Sequence, residues 1–472
     1  VKPQTSKISH WPLTILGSVS SLFNLFLPIV MSRRMSTEGV GEYKVFFLYL
    51  ATVPALSLGV GFTNGTYLWG AAREAARDKI RCAFVLALIA GFAASAVSLA
   101  AGIYLGWSTT LLFFSLACPP AVAATIFEAR LVAEGRVRNA AFFSAGFEFL
   151  RLASLLGAVL LGYGAATLFL LHCAVSWAKL LAAGSALGLI SPFTAEFQKE
   201  RPALLRYAMP VSGAAVFDLL VLNADRYVLS ALLSAGSFAI YSFGCLMVPP
   251  LSVFEQAVNQ VLIPKLARTK PRTRAAPALF RIAQEDLMLI LIPSAAGLIA
   301  LADPLIRFLF TESYREAALF LEWYALYYAL TAIPQDVLAR ARGDSAWIFR
   351  TAVVFGSVAL AATFTGAELF GALGALRAFI LMQIARRLYA LYYFAREEKT
   401  TFAHVFPVKS ATVITAGAAL AGVVAHLVAA RIDRPAAAFF LGALAFAPVY
   451  FAVVIAFRPR ALSRLLRFRR KR

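Results

Sequence analysis

The feature that most constrains this chain is a succession of long apolar runs separated by short polar joints. A helix rises 1.5 Å per residue and bilayer hydrocarbon is about 30 Å thick, so a crossing needs about 20 mostly apolar residues. About 14 runs meet that length. They lie at approximately 11–31, 44–63, 82–105, 108–128, 141–161, 164–189, 209–232, 238–264, 282–309, 316–339, 347–366, 370–395, 409–430 and 436–457. In hydrocarbon every backbone polar group must be paired within the protein, so the expected fold class is all-α, a polytopic membrane protein. Composition agrees: only 15% of residues are charged and 61% are hydrophobic, too little polarity to cover a water-facing globule. A soluble enzyme is excluded on that ground.

The formal charge is +21, with 45 Lys and Arg against 24 Asp and Glu. On a soluble chain this would point to nucleic acid. Here the basic residues fall between the apolar runs and read as topology signals, so no nucleic-acid partner is expected. With the N-terminus in the cytoplasm, inside segments hold about 31 Lys and Arg and outside segments about five: Arg33, Arg34, Arg315, Arg431 and Arg434. Both termini are therefore expected inside. The run from Trp11 has a short basic lead but no small-residue cleavage site after it, which favours a retained first helix over a signal peptide. The tail 458–472 carries a basic cluster suited to anchoring against anionic lipid. Cys82, Cys118, Cys173 and Cys245 lack metal-type spacing and read as small apolar fillers, and the four histidines are far apart; no metal site or cofactor is expected.

The expected organisation is a six-helix bundle over 1–190, a cytoplasmic amphipathic linker over 191–208 and a second six-helix bundle over 209–396. Two extra helices over 397–457 and the basic tail 458–472 follow. Two joints recur six runs apart. Ser32, Ser36 and Tyr43 share one register with Ser230, Ser234 and Tyr241, and the joint 131–136 matches 339–344. An even displacement keeps both halves in one orientation, giving two pseudo-symmetric bundles related by a parallel repeat, as in many secondary transporters.

The stretch from Asn223 to Gly244, containing Asp225-Arg226-Tyr227 and Ala239-Ile240-Tyr241, resembles the signature between the seventh and eighth helices of polysaccharide transporters. These are the Wzx-like O-antigen and exopolysaccharide flippases of the multidrug/oligosaccharidyl-lipid/polysaccharide flippase superfamily. Pro250–Ala257 through Pro264–Arg268, Ala302–Ala318 and Ser36–Tyr43 are similar to the same family. The resemblance covers most of the chain as a pattern of helices. It implies two bundles around a cavity that opens alternately to each side of the bacterial inner membrane. It also implies an undecaprenyl-diphosphate-linked oligosaccharide as cargo, a monomer, membrane lipids as surroundings, and a polysaccharide polymerase and glycosyltransferases as functional partners.

A diphosphate crossing hydrocarbon needs cationic side chains in a wet cavity, and Arg suits it because its fork binds two oxygens at once. Arg151, Arg226 and Arg377 lie within runs, and Arg33 and Arg34 stand at an outer helix end against the charge trend. These five are the candidate phosphate ligands. Glu255, Gln256, Asn259 and Gln260 form a polar stripe at i, i+4 spacing, suited either to a sugar or to interhelical hydrogen bonding. Asp218 and Asp225 could take a coupling proton or cation. Glu148/Arg151 and Asp225/Arg226 serve equally well as structural pairs, and Lys179 and Arg350 are placed to snorkel to the inner interface.

Three other functions fit parts of this pattern. A drug antiporter of the MATE type usually has twelve helices and an acidic cavity, against the longer run count and deep arginines here. A membrane glycosyltransferase or ligase needs an outer loop or acidic cluster that the short joints do not supply, so the chain is not expected to be an enzyme. A lipid II flippase would share the mechanism, but the seventh-helix motif looks more like the polysaccharide branch.

Overall fold

A computed structural model describes residues 26–69, 77–106, 108–246 and 248–457. Of the first expected span only the end falls within them, as α1 (residues 26–34), and the basic tail lies outside them. Every regular element among the described residues is helical, the all-α membrane architecture that the apolar runs require. Nine of these helices are long and apolar enough to cross a bilayer, or up to eleven when two bent pairs are each taken as one span.

Those bent pairs depart from expectation. The second span was expected to run unbroken over 44–63; instead α2 (Thr37–Leu50), α3 (Val53–Leu56) and α4 (Gly59–Trp69) bend by 56°. Pro54 stands at the break, where it removes an N–H donor and strains the preceding residue, and Leu58 takes a left-handed φ of 60°. The eighth span, expected over 238–264, is likewise divided into α11 (Ala235–Gly244) and α12 (Pro249–Ala267), also with a 56° bend. Pro249-Pro250 withhold two donors at the start of α12. The sequence repeat had matched these same two spans, so the repeat extends to a discontinuity.

Further helices of the amino-terminal part are α5 (Arg77–Leu105), α6 (Thr109–Ala123), α7 (Thr125–Ala133), α8 (Val137–Leu160) and α9 (Ala165–Leu187). The expected linker and seventh span form one element, α10 (Ala195–Leu232), with a non-helical backbone at Asn223. Beyond α12 come α13 (Ala275–Ala300), α14 (Ala302–Leu309), α15 (Ala317–Thr331), α16 (Val337–Arg342) and α17 (Ser345–Glu397). The chain closes through α18 (Phe402–Val405), α19 (Val408–Ala429) and α20 (Pro435–Phe457). As a straight rod the 53-residue α17 would measure about 80 Å. It is a hairpin. The backbone leaves the helix at Phe370 and Gly371, whose φ of 64° suits glycine, and Trp347 stacks on Tyr393 at 4.2 Å. A Cβ on Gly374 would fall 2.1 Å from the Gly366 carbonyl, so both positions must be bare for the arms to meet. The arms correspond to the eleventh and twelfth expected spans.

The helices gather into two compact units. One comprises residues up to Leu222 with Leu233–Ala239; the other comprises Asn223–Leu232 and Ile240 onward. In the first, α6 packs against α5 and α9, α4 against α7, and α8 against α9. In the second, α13 is the hub, packed against α12, α15 and α19, with α20 on α19. A core of Leu266, Phe280, Leu338, Leu391 and Phe394 joins α12, α13, α16 and α17.

Candidate functional site

In the first unit Pro119 and Pro120 fall at the end of α6, and the span resumes as α7 after Ala124. At this joint a cavity of about 200 Å³ opens between α6, α7, α8 and α9, lined by Thr125, Glu148, Arg151, His172, Ser176 and Lys179 among others. Glu148 and Arg151 are three residues apart on α8 and so share a face. The guanidinium grips the carboxylate with two donors: Nε to Oε2 at 3.0 Å and Nη2 to Oε1. Its carbon lies 5.9 Å from the Phe47 ring centre, and Tyr43 adjoins it. Across the cavity Lys179 pairs with Glu128 at 2.5 Å. His172 sits between, edge-on to Phe46 and Phe47, with Nε2 3.4 Å from the Ser176 hydroxyl.

This wall therefore presents two cations, each neutralised by one carboxylate, around a partly open space. The Arg151 and Glu148 side chains remain 15% and 29% exposed, so an incoming anion can compete for the guanidinium. The cavity is smaller than sites for drug-sized ligands, which run from about 300 Å³ upward, and suits a phosphate better than a sugar repeat. Lys179 was expected to snorkel. Eight residues from the end of α9, it turns instead to Glu128 on α7.

The second unit uses its arginines differently. Arg226 on α10 donates through Nη2 to the Cys245 carbonyl at 2.9 Å, and through Nη1 to Asn223 Oδ1 at 3.3 Å. Cys245 lies in the break between α11 and α12, where helical carbonyls lose their usual donors. The Tyr328 hydroxyl completes the repair: it donates to Leu246 O and accepts from Val248 N–H, both at 2.7 Å. The Arg226 guanidinium gives these hydrogen bonds to Asn223 and Cys245 rather than to the neighbouring Asp225 carboxylate, since successive residues on a helix point about 100° apart. Asp225, 1% exposed, instead accepts from the Tyr241 hydroxyl. Arg387 on α17 is 3% exposed and also turns to a carbonyl, donating through Nε to that of Leu330 at 2.6 Å, which accepts from the Ile333 N–H as well, and through Nη1 to Gln383 Oε1 at 2.8 Å. Leu330 belongs to the last turn of α15.

The remaining candidates are dispersed. Arg377 is exposed, six residues past Gly371 in the hairpin turn, with its guanidinium 4.4 Å from the Trp323 ring centre. It is thus nearer a helix end than its place within an apolar run suggested. Arg33 and Arg34 are exposed at the end of α1. On α12, Gln256 and Gln260 are exposed, Glu255 lies in the field of Arg387, and Asn259 Oδ1 is buried with no hydrogen bond among the described residues. Asp218 is half-buried on α10. Sequence reasoning missed Glu128, His172 and Arg387. A carboxylate at a proline-broken joint and a histidine in mid-span were the available signals, because both are costly in hydrocarbon without a polar neighbour.

The sequence model of a polysaccharide biosynthesis protein family matches residues 73–319, which include the Arg151 cavity and the break capped by Arg226. The chain belongs to that family. No curated protein matches it. Among solved structures, this polysaccharide biosynthesis protein is similar to the lipid II flippase MurJ in an inward closed conformation. That match has a TM-score of 0.70 at 18% identity, over 95% of this chain and 99% of that one. It is also similar to an inward-facing multidrug resistance MATE family transporter of the MOP superfamily, with a TM-score of 0.60 at 17% identity, over 81% and 96%. A MOP superfamily transporter from Pyrococcus furiosus, described as having a binding pocket of reverse polarity, matches with a TM-score of 0.54 at 16% identity, over 84% and 96%. The fold is thus that of the MOP superfamily, and the family member is a multi-pass membrane protein.

Proposed function

We propose that this protein flips an undecaprenyl-diphosphate-linked oligosaccharide across the bacterial inner membrane by alternating access, supplying surface polysaccharide synthesis. Membership in a polysaccharide biosynthesis family, on a chain with a transporter fold along nearly its whole length, carries the reading. The Lys and Arg asymmetry supports cytoplasmic termini, and no catalytic role is assigned. In this reading Arg151 engages the cargo diphosphate by exchanging Glu148 for phosphate oxygens, and Lys179 adds a point charge. Arg226 acts at one remove by holding the α11–α12 break. Arg377, Arg33 and Arg34 are candidate guides for the anion outside the cavity. The stripe Glu255, Gln256, Asn259 and Gln260 supplies sugar contacts, and Asp218 and Asp225 are the candidates for ion coupling. Deletion should abolish surface polysaccharide and accumulate lipid-linked oligosaccharide. The wild-type gene should restore export, and R151A at matched protein level should not. Rescue of a strain depleted of its lipid II flippase would favour that cargo instead, and restored drug resistance alone would favour an antiporter.

A further inference from the structure

The second unit has a larger cavity, of about 700 Å³, between the basic ends of the two α17 arms and not lined by Arg377 near the hairpin turn. Its walls are aromatic: Trp347 stacks between Tyr389 and Tyr393, and Phe355 lies 5.8 Å from Tyr389. Trp and Tyr favour the headgroup level of a bilayer because each combines an apolar body with a polar tip. Arg350 from one arm and Arg396 from the other line the same space. Among the described residues neither makes an ion pair; Arg350 only donates Nε to the carbonyl of Ala346 at 3.3 Å. Two acids also line the cavity. Asp344 is committed, accepting from the Trp347 N–H at 3.0 Å and the Tyr393 hydroxyl at 2.9 Å. Glu397 is exposed and has no ion pair among the described residues. The indole N–H of Trp347, a residue 7% exposed, has no acceptor among the described residues. Tyr392 is 59% exposed and Val354 57%, so the cavity opens laterally.

We propose that this groove seats one aminophospholipid of the adjoining leaflet. Its phosphate lies against Arg350 and Arg396, its primary ammonium against Glu397, and its first acyl carbons run along Val354 and Phe355. Two unpaired guanidiniums match a phosphate, and one unpaired carboxylate matches an ammonium. An anionic lipid without an amine would leave Glu397 unanswered. The inference needs only a membrane-embedded chain and does not depend on the cargo.

Native mass spectrometry of the purified full chain, delipidated and then titrated with phosphatidylethanolamine, phosphatidylcholine or phosphatidylglycerol, tests it. The wild type should retain one phosphatidylethanolamine in preference to the other two. R350A/R396A should weaken it by about tenfold or more, the loss expected for a charge-assisted contact. E397Q should lose the preference over phosphatidylglycerol while still binding a phospholipid. If the double variant fails to fold, a photo-crosslinking amino acid in place of Tyr392 gives the same answer in an otherwise wild-type chain, by crosslinking to phosphatidylethanolamine. Equal retention by wild type and R350A/R396A, equal binding of all three lipids, or recovery of polyprenyl diphosphate from the groove would overturn the assignment.

Discussion

Arg151 and Lys179 in the first unit and Arg226 and Arg387 in the second are held in different ways. The first two bind carboxylates at the wall of a cavity, while Arg226 and Arg387 donate to backbone carbonyls at or near helix ends. A carboxylate partner can be displaced by another anion, which leaves the cation available for exchange. The Cys245 carbonyl, in the break between α11 and α12, lacks its helical donor and so holds Arg226 in place, whereas the Leu330 carbonyl also accepts from the Ile333 N–H at 3.0 Å and shares Arg387 with Gln383. Depth in the membrane does not separate these roles; the acceptor does.

The largest effect should follow R387A. Removing a guanidinium that is 3% exposed takes the charged donor from Gln383 Oε1 and from the Leu330 carbonyl, which keeps the Ile333 N–H, at about 1.5–3 kcal/mol for each charge-assisted bond lost. Thermal unfolding in detergent should show a large drop in midpoint or no recoverable protein. R226A should cost about 1–3 kcal/mol for the Cys245 carbonyl left without a donor. R226K should recover little, since an ammonium lacks the fork that spans Asn223 and Cys245. Stability like that of wild type in either Ala variant would erase the contrast between the units.

R151A should behave differently: a stability change of about 1 kcal/mol, because the Glu148 carboxylate keeps access to water through an open cavity, but a loss of export. E148Q should keep more export than R151A, since it frees the guanidinium instead of removing it. Equal losses would return the pair to a purely structural role. The smallest effect should come from R377A, whose exposed side chain rests on Trp323; unfolding should shift by no more than about 0.5 kcal/mol.

Much of this fold is written locally. Apolar length marks the spans, and the gap between the runs ending at 366 and starting at 370 falls beside the hairpin turn at Phe370 and Gly371. The Glu148–Arg151 bond follows from helical spacing alone. Lys179 meets Glu128 and Arg226 meets Cys245 only after helices pack, so neither contact has a local signature. The breaks at Pro54 and Pro249-Pro250 did carry a signal, a proline inside an apolar run, but hydropathy averages over it. Those breaks create the orphan carbonyls that decide what Arg226 does.

The central claim is translocation of a lipid-linked oligosaccharide. It is tested most directly in proteoliposomes with cargo placed in the inner leaflet and scored by an external glycan-cleaving enzyme. The account predicts that wild-type protein makes the protected cargo cleavable and that the folded R151A protein does not. Cargo that stays protected with wild-type protein, or becomes cleavable equally with R151A, would contradict it.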